Sequence, residues 1–340
     1  MSAAGRYLIV GPAWVGDMVM AQSLFMTLRS REPGAAIEVV APPWSGPLLR
    51  RMPEVNAAHV LDVPHGRLGL GPRRRLGRAL RARGYTRAIV IPRSAKAALV
   101  PFFARVPVRT GYRGEFRYGL INDMRPLDKT VLRQTVQRQV ALGLPPDEPL
   151  PQPIPSPRLT VDEANRSVLV QRLGLALEAP VAAFMPGAEY GPAKQWPLDR
   201  YAELARRLRA AGFSVWVLGS ARDAPAGEAV AAVPGVVNLC GRTRLEDAVD
   251  LLSLARVAVT NDSGLMHVAA AVGTPVAALY GSSTPDYTPP LSDRARVLYR
   301  RLPCSPCFRR ECPLGHTQCL TGIAVDEVEA AALELAQGVK

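Results

Sequence analysis

Three segments of the chain combine carboxylates, a lysine and a histidine with glycine-containing turns, the materials of acid–base chemistry and anion binding. The first, Gly11–Asp17, ends on an aspartate at the start of a helix-forming stretch. Asp17 there can cap the helix, because a carboxylate accepts the free N–H groups of a first turn. It can also act as a general base that takes the proton of an attacking hydroxyl, and one residue can do both. Gly16 beside it permits close backbone approach or an unusual dihedral angle. The second segment, P-G-A-E-Y-G-P-A-K-Q-W-P at 186–197, sets Lys194 in a pliable loop with a stiff Trp196–Pro197 exit. An ammonium in such a loop suits phosphate as a point charge; the plainer alternative is a surface lysine. The G-x-x-x-x-G-K-[ST] phosphate loop is absent. The third segment is T-N-D-S-G-L-M-H at 260–267. Asp262 or Ser263 can cap the helix that follows, and the N–H groups near Ser263, Gly264 and Leu265 make an anion pocket at its start. His267 lies a turn further on, where it either faces that pocket or packs.

Cys304, Cys307, Cys312 and Cys319 form a C-x2-C-x4-C-x6-C cluster with His316 inside it. Grouping of this kind in a cytoplasmic chain points to metal more than to disulfides, but the gaps match no standard finger. A structural metal site, a set of disulfide-bonded or reduced thiols, and a catalytic use all remain open, the last the least favoured. Cys240 stands alone and is expected to be a small buried hydrophobe. The Arg-rich run Arg67–Arg87 is either a solvated helix face or a contact surface for anionic lipid head groups.

The formal net charge is +13, which favours anionic partners: nucleic acid, anionic lipid or phosphorylated sugars. Nucleic acid is disfavoured because aromatics are only 6% and the Arg-rich run holds none before Tyr85, whereas single-strand binders interleave basic and stacking residues. Arg, Ala and Pro are all abundant, so coding bias is a further source of the charge. No apolar run reaches the roughly 18 residues that span a bilayer. Gly11 and Pro12 stop the N-terminal run Tyr7–Val10 at once, so no leader is expected and the protein is expected in the cytoplasm.

These segments need a scaffold, and the hydrophobic pattern supplies one. Strands are expected at Tyr7–Val10, Ile37–Ala41 and Ala88–Ile91, with a helix over Met18–Arg31 whose apolar face is Val19, Leu24, Met26 and Leu28. A Pro-dense stretch, Pro145–Pro157, excludes helix and central strand and reads as a linker. Beyond it come a helix at Val161–Leu173, strands at Val181–Met185, Val215–Gly219, Val257–Thr260 and Val276–Tyr280, and helices at Asp199–Ala211, Leu245–Leu254, Leu265–Val272 and Asp326–Gln337. Alternation of this kind means parallel sheets. The expected fold class is α/β: two doubly wound, Rossmann-like domains facing a cleft, with ligands beyond the carboxyl ends of the strands. The boundaries read as residues 1–157, 158–322 with the cysteine-rich loop at 304–319, and a C-terminal helix in 323–340.

The stretches G-P-A-W-V-G-D-M-V-M at 11–20, 186–197, L-G-S-A-R-D at 218–223, T-N-D-S-G-L-M-H-V-A-A-A at 260–271 and L-Y-G-S-S-T-P-D-Y-T-P-P at 279–290 occur in an order that resembles the lipopolysaccharide heptosyltransferases, glycosyltransferase family 9. The resemblance is strongest to members that add the second heptose. It implies a GT-B fold with an N-terminal acceptor domain and a C-terminal donor domain. It implies inverting transfer of heptose from ADP-heptose to heptosyl-Kdo2-lipid A, with no cofactor and no obligatory metal. By this resemblance Asp17 is the base, and Glu189, Lys194, Asp262, Ser263, Gly264, Leu265 and His267 are donor contacts. The acceptor carries carboxylates and phosphates, so Gly16 and the basic residues Arg93, Lys96, Arg113 and Arg117 are candidates for its side, and peripheral association with the anionic inner face of the cytoplasmic membrane follows. The rivals are the first heptosyltransferase or a later core enzyme of the same family, and a GT-B-fold sugar-nucleotide epimerase.

Overall fold

The computed structural model describes residues 5–64 and 66–338, which divide into two compact units at Pro157/Arg158. The first unit runs β1 (Arg6–Val10), α1 (Val15–Arg31), β2 (Ala36–Ala41), α2 (Ser45–Leu49), β3 (Ala57–Val60), α3 (Leu70–Leu80), β4 (Arg87–Val90), α4 (Leu99–Phe103), β5 (Val108–Tyr112), β6 (Asp123–Arg125) and α5 (Thr135–Ala141). Its strands form one parallel sheet in the order β3-β2-β1-β4-β5-β6. No helix or strand interrupts the proline-dense stretch before the second unit.

The second unit runs α6 (Glu163–Leu173), β7 (Val181–Met185), α7 (Leu198–Ala210), β8 (Ser214–Val217), α8 (Ala224–Ala231), β9 (Val236–Asn238), α9 (Leu245–Leu252), β10 (Ala255–Asn261), α10 (Gly264–Ala271), β11 (Val276–Tyr280), β12 (Ala295–Tyr299), α11 (Gln318–Thr321) and α12 (Val325–Gln337). Its sheet is again all parallel, in the order β12-β11-β10-β7-β8-β9. Both units are doubly wound. Strand order reverses between β1 and β4 in the first sheet and between β7 and β10 in the second, and crevices for ligands open outside the carboxyl ends of strands at such points.

The inner strands are apolar because helices cover both sheet faces. Every residue of β7 and of β11 is buried. The second core gathers Phe184, Trp196, Tyr201, Leu204 and Val257, and α12 contributes Val328 and Ala332 to it. The helix α1 departs from its expected face. Gln22, Ser23, Phe25 and Thr27 are buried as well, while Met26 is only half-buried. α1 packs on α5 as well as serving the sheet, so a narrow apolar stripe does not describe it.

Candidate functional site

The loops after β7 and β10 flank the reversal of the second sheet. Lys194 ends a short 3-10 turn, Pro192–Lys194, and its ammonium donates to Asp262 Oδ2 at 2.6 Å. Ser283, from the loop after β11, donates to the same oxygen at 2.5 Å. Asp262 and Ser283 are buried and Lys194 half-buried, so the carboxylate holds the ammonium at a fixed, poorly solvated place. An ammonium has three N–H donors, and Asp262 takes one of them. Ser263 caps α10, its Oγ accepting from Met266 N–H at 3.4 Å. The first-turn N–H groups of a helix have no acceptor within it and carry the positive end of its dipole, so Gly264 and Leu265 start an anion-favouring terminus beside Lys194 and Asp262. His267 is buried behind it. Burial pushes its imidazole down to about 4; the Asp262 carboxylate opposes this and the Lys194 charge adds to it. The ring is therefore neutral at neutral pH.

One buried amide organises the loop that carries Lys194. Asn261 Oδ1 accepts from the Trp196 backbone N–H at 3.0 Å and from the Tyr201 hydroxyl at 3.2 Å. Its Nδ2 donates to the Pro186 carbonyl at 2.8 Å. Both ends of the 186–197 loop thus hang from the last residue of β10. The Trp196 indole N–H, fully buried, donates to the Ile323 carbonyl at 3.1 Å.

In the first unit, Trp14 occupies the N-cap of α1 with no side-chain cap bond, and Asp17 is the third helical residue, half-buried. The cap reading of Asp17 is therefore corrected: the chain turns into the helix earlier, at Val15. Gly16 is buried in the same first turn and is not among the glycines of positive φ, so the unusual-dihedral reading falls too. The Asp17 carbonyl accepts from Gln139 Nε2 of α5 at 3.0 Å, which pins this turn. The loops after β4 and β5 lie against each other at the same sheet edge. Arg93 donates to the Arg113 carbonyl at 3.2 Å, and Ala95 N–H donates to the Glu115 carboxylate at 2.8 Å. Arg93 and Arg113 are exposed and Lys96 is half-buried. Arg117 differs from them. It is 1% exposed and donates to the Pro92 carbonyl at 2.6 Å and the Tyr112 carbonyl at 2.5 Å. Burial pushes its guanidinium down to about 10. It is a strut under these loops and presents no cation to a ligand.

The four clustered cysteines form no disulfide, and among the described residues no group of three or more His, Cys, Asp or Glu is placed to hold a metal ion. Backbone N–H groups, that of Thr317 foremost, hold the Cys312 thiol below its usual value. Cys240 is buried, and burial pushes its thiol up to about 12, as befits a packed hydrophobe.

Residues 73–318 match glycosyltransferase family 9 (heptosyltransferase). The chain belongs to this family. Over 304 residues it is 51% identical to lipopolysaccharide heptosyltransferase 2 of Salmonella typhimurium, covering 86% of this chain and 87% of that protein. The identity to lipopolysaccharide heptosyltransferase 2 of Escherichia coli is 50%, with the same coverage. The solved structure of E. coli ADP-heptose lps heptosyltransferase II matches with a TM-score of 0.88 and 45% identity, covering 98% of this chain and 99% of that one. The fold class is that of the GT-B glycosyltransferases, and the protein is a glycosyltransferase.

Set in this family 9 fold, the residues singled out from the sequence separate into groups. Lys194, Asp262, Ser263 and His267 come together at the β7/β10 reversal. Glu189 does not join them; it is exposed and paired with Arg222 at 2.8 Å. Lys194 is also more than a surface lysine, because a buried carboxylate holds it. Asn261, Ser283 and Tyr190 were missed. Asn261 and Ser283 lie inside stretches that carry the family resemblance, but nothing in their residue type marks them as organisers. No helix among the described residues is long and apolar enough to cross a membrane.

Proposed function

We propose that this protein transfers L-glycero-D-manno-heptose from ADP-heptose to the first heptose of the lipopolysaccharide inner core, heptosyl-Kdo2-lipid A, with inversion. The observation that supports the reading is the Lys194–Asp262 pair beside the capped start of α10, an arrangement that suits an anion, in a chain half-identical to proteins named heptosyltransferase 2. In this reading residues 158–322 bind the donor and residues 1–157 the acceptor. The diphosphate lies against Lys194 and the N–H groups of Gly264 and Leu265. Those charges stabilise the leaving ADP, the work that a divalent metal does in other transferases. His267, being neutral, contributes a hydrogen bond or packing and no charge. A hydroxyl of the acceptor heptose attacks the anomeric carbon, the bond from that carbon to the diphosphate oxygen breaks, and the electron pair leaves with ADP. Asp17 takes the hydroxyl proton. Arg93, Lys96 and Arg113, at the carboxyl edge of β4 and β5 near the start of α1, are the cations for the acceptor's carboxylates and phosphates.

The test is ADP release from the purified protein given ADP-heptose, with and without heptosyl-Kdo2-lipid A, alongside mass spectrometry of the lipid. Acceptor-dependent release with one added heptose is expected. Transfer only to the heptose-free Kdo2 acceptor would overturn the acceptor assignment, and transfer to neither would overturn the donor assignment.

A further inference from the structure

The cysteine-rich loop reaches the loops of the donor side through its backbone. Ser305 Oγ donates to the Gly281 carbonyl at 2.5 Å, and Phe308 N–H donates to the Ser282 carbonyl at 2.7 Å. The carbonyl of the same Phe308 accepts from the Tyr190 hydroxyl at 2.7 Å, and the Arg310 carbonyl accepts from Ala193 N–H at 3.0 Å. One residue therefore ties the loop after β11, which supplies Ser283 to Asp262, to the loop after β7, which supplies Lys194. Its ring is held in turn by Tyr287, edge to face at 6.1 Å. Gly191 is what lets the two backbones meet. Its φ is +149°, and a Cβ there would stand 2.5 Å from the Arg310 carbonyl oxygen. The Tyr190 ring lies beside two cations, with Lys194 Nζ 5.1 Å and Arg310 Cζ 5.4 Å from its centroid. An aromatic face attracts a cation at this range. The Lys194 ammonium thus has two fixed partners, a carboxylate and a ring, and the ring is anchored from the cysteine-rich loop.

We infer that Tyr190 is a positioning residue for Lys194, and that the cysteine-rich loop, through Phe308 and Arg310, is the anchor that fixes it. The inference rests on the proposed donor-binding role of Lys194. Tyr190 acts through the ammonium: it limits the space Lys194 samples, so the charge is in place before the diphosphate arrives.

The test uses the full chain as wild type, Tyr190→Phe, Tyr190→Ala, Lys194→Ala and the Tyr190→Ala/Lys194→Ala double variant. KM for ADP-heptose, KM for the lipid acceptor, ADP affinity by calorimetry and melting temperature are measured for each. Tyr190→Ala is expected to raise the donor KM roughly tenfold, the scale of losing one cation–π contact and one hydrogen bond, with the acceptor KM unmoved. Tyr190→Phe keeps the ring and is expected to lose roughly twofold to threefold. In the Lys194→Ala background, Tyr190→Ala is expected to add nothing. A Tyr190→Ala effect that persists undiminished in that background overturns the inference, as does a wild-type donor KM in both Tyr190 variants. If Tyr190→Ala melts too early to assay, Tyr190→Phe alone decides. Unchanged ADP affinity and donor KM in Lys194→Ala would instead remove the donor role of Lys194, a result separable from failure of the Tyr190 coupling.

Discussion

Asp17 sits in the first turn of α1, where the helix dipole favours a carboxylate and α5 fixes the backbone. Asn keeps its shape but accepts no proton. Asp17→Asn is expected to cut turnover by roughly a hundredfold or more, while ADP affinity and melting temperature stay close to wild type. Near-normal turnover in that variant would remove Asp17 as the base. His267 makes a different kind of prediction. Its ring is held at about 4 in the fold, against an ordinary 6.5, because burial disfavours the cation. Between those values the unfolded chain binds a proton that the folded chain refuses, so stability rises with pH across that window. The contribution is whole above 6.5 and is lost as the pH falls towards about 4. Melting curves from pH 7.5 to pH 5 are expected to show a smaller drop in His267→Gln than in wild type. An equal drop would mean that the ring is not buried neutral.

At the scale of elements, the 186–197 loop keeps its shape because β10 ends in Asn261. Three hydrogen bonds converge on that side chain from Trp196, Tyr201 and Pro186, and it is fully buried. Asn261→Ala would strand a buried N–H, a hydroxyl and a carbonyl. The cost is expected at about 2–4 kcal/mol, seen in denaturant unfolding as a lower midpoint with an unchanged slope. Donor KM should rise in parallel, since the loop carries Lys194. A stable variant with a loose donor site would make Asn261 a local organiser only; no change in either would contradict the geometry.

At the scale of the molecule, the +13 charge is unevenly spent. On the first unit, Arg74, Arg78 and Arg105 crowd the exposed Arg81: desolvation by its neighbours and then these like charges hold its guanidinium below its usual value. Phe102 and Leu70, both exposed, belong to the packed helices α4 and α3 that carry part of this patch. Exposed apolar groups beside a basic cluster suit an anionic bilayer. The protein is expected to sediment with vesicles containing phosphatidylglycerol at low salt and to be released as salt rises, because surface attraction is screened within roughly 10 Å at 0.1 M. Reversing Arg74, Arg78 and Arg81 to Glu should abolish sedimentation while leaving ADP affinity intact. Sedimentation unaffected by salt and by these changes would exclude the patch as the contact.

Much of the fold was legible because the inner strands of a doubly wound sheet are covered on both faces and must be apolar throughout. β1, β2, β4, β7, β8, β10 and β11 all announce themselves as short aliphatic runs. The strands left unread were β3, β5, β6, β9 and β12; four of them are the sheet edges, half-exposed and mixed in composition, so their sequence carries no continuous apolar signal. The positions of the candidate site loops were legible as well, since polar turns between buried strands must lie at the carboxyl edge of the sheet. By itself, then, the sequence determined the layered α/β plan and the loops that bear Asp17, Lys194 and Asp262. Only the tertiary structure decided who meets whom. Lys194 finds Asp262 across 68 residues, and Glu38, a lone carboxylate in an apolar strand, finds His59 and Tyr85 across 21 and 47. It also separated Arg117, a buried strut, from Arg93 and Arg113 on the surface. Hydrophobic periodicity is a local property, set by which face each residue turns to the core, whereas a hydrogen bond or ion pair depends on which elements the topology brings side by side.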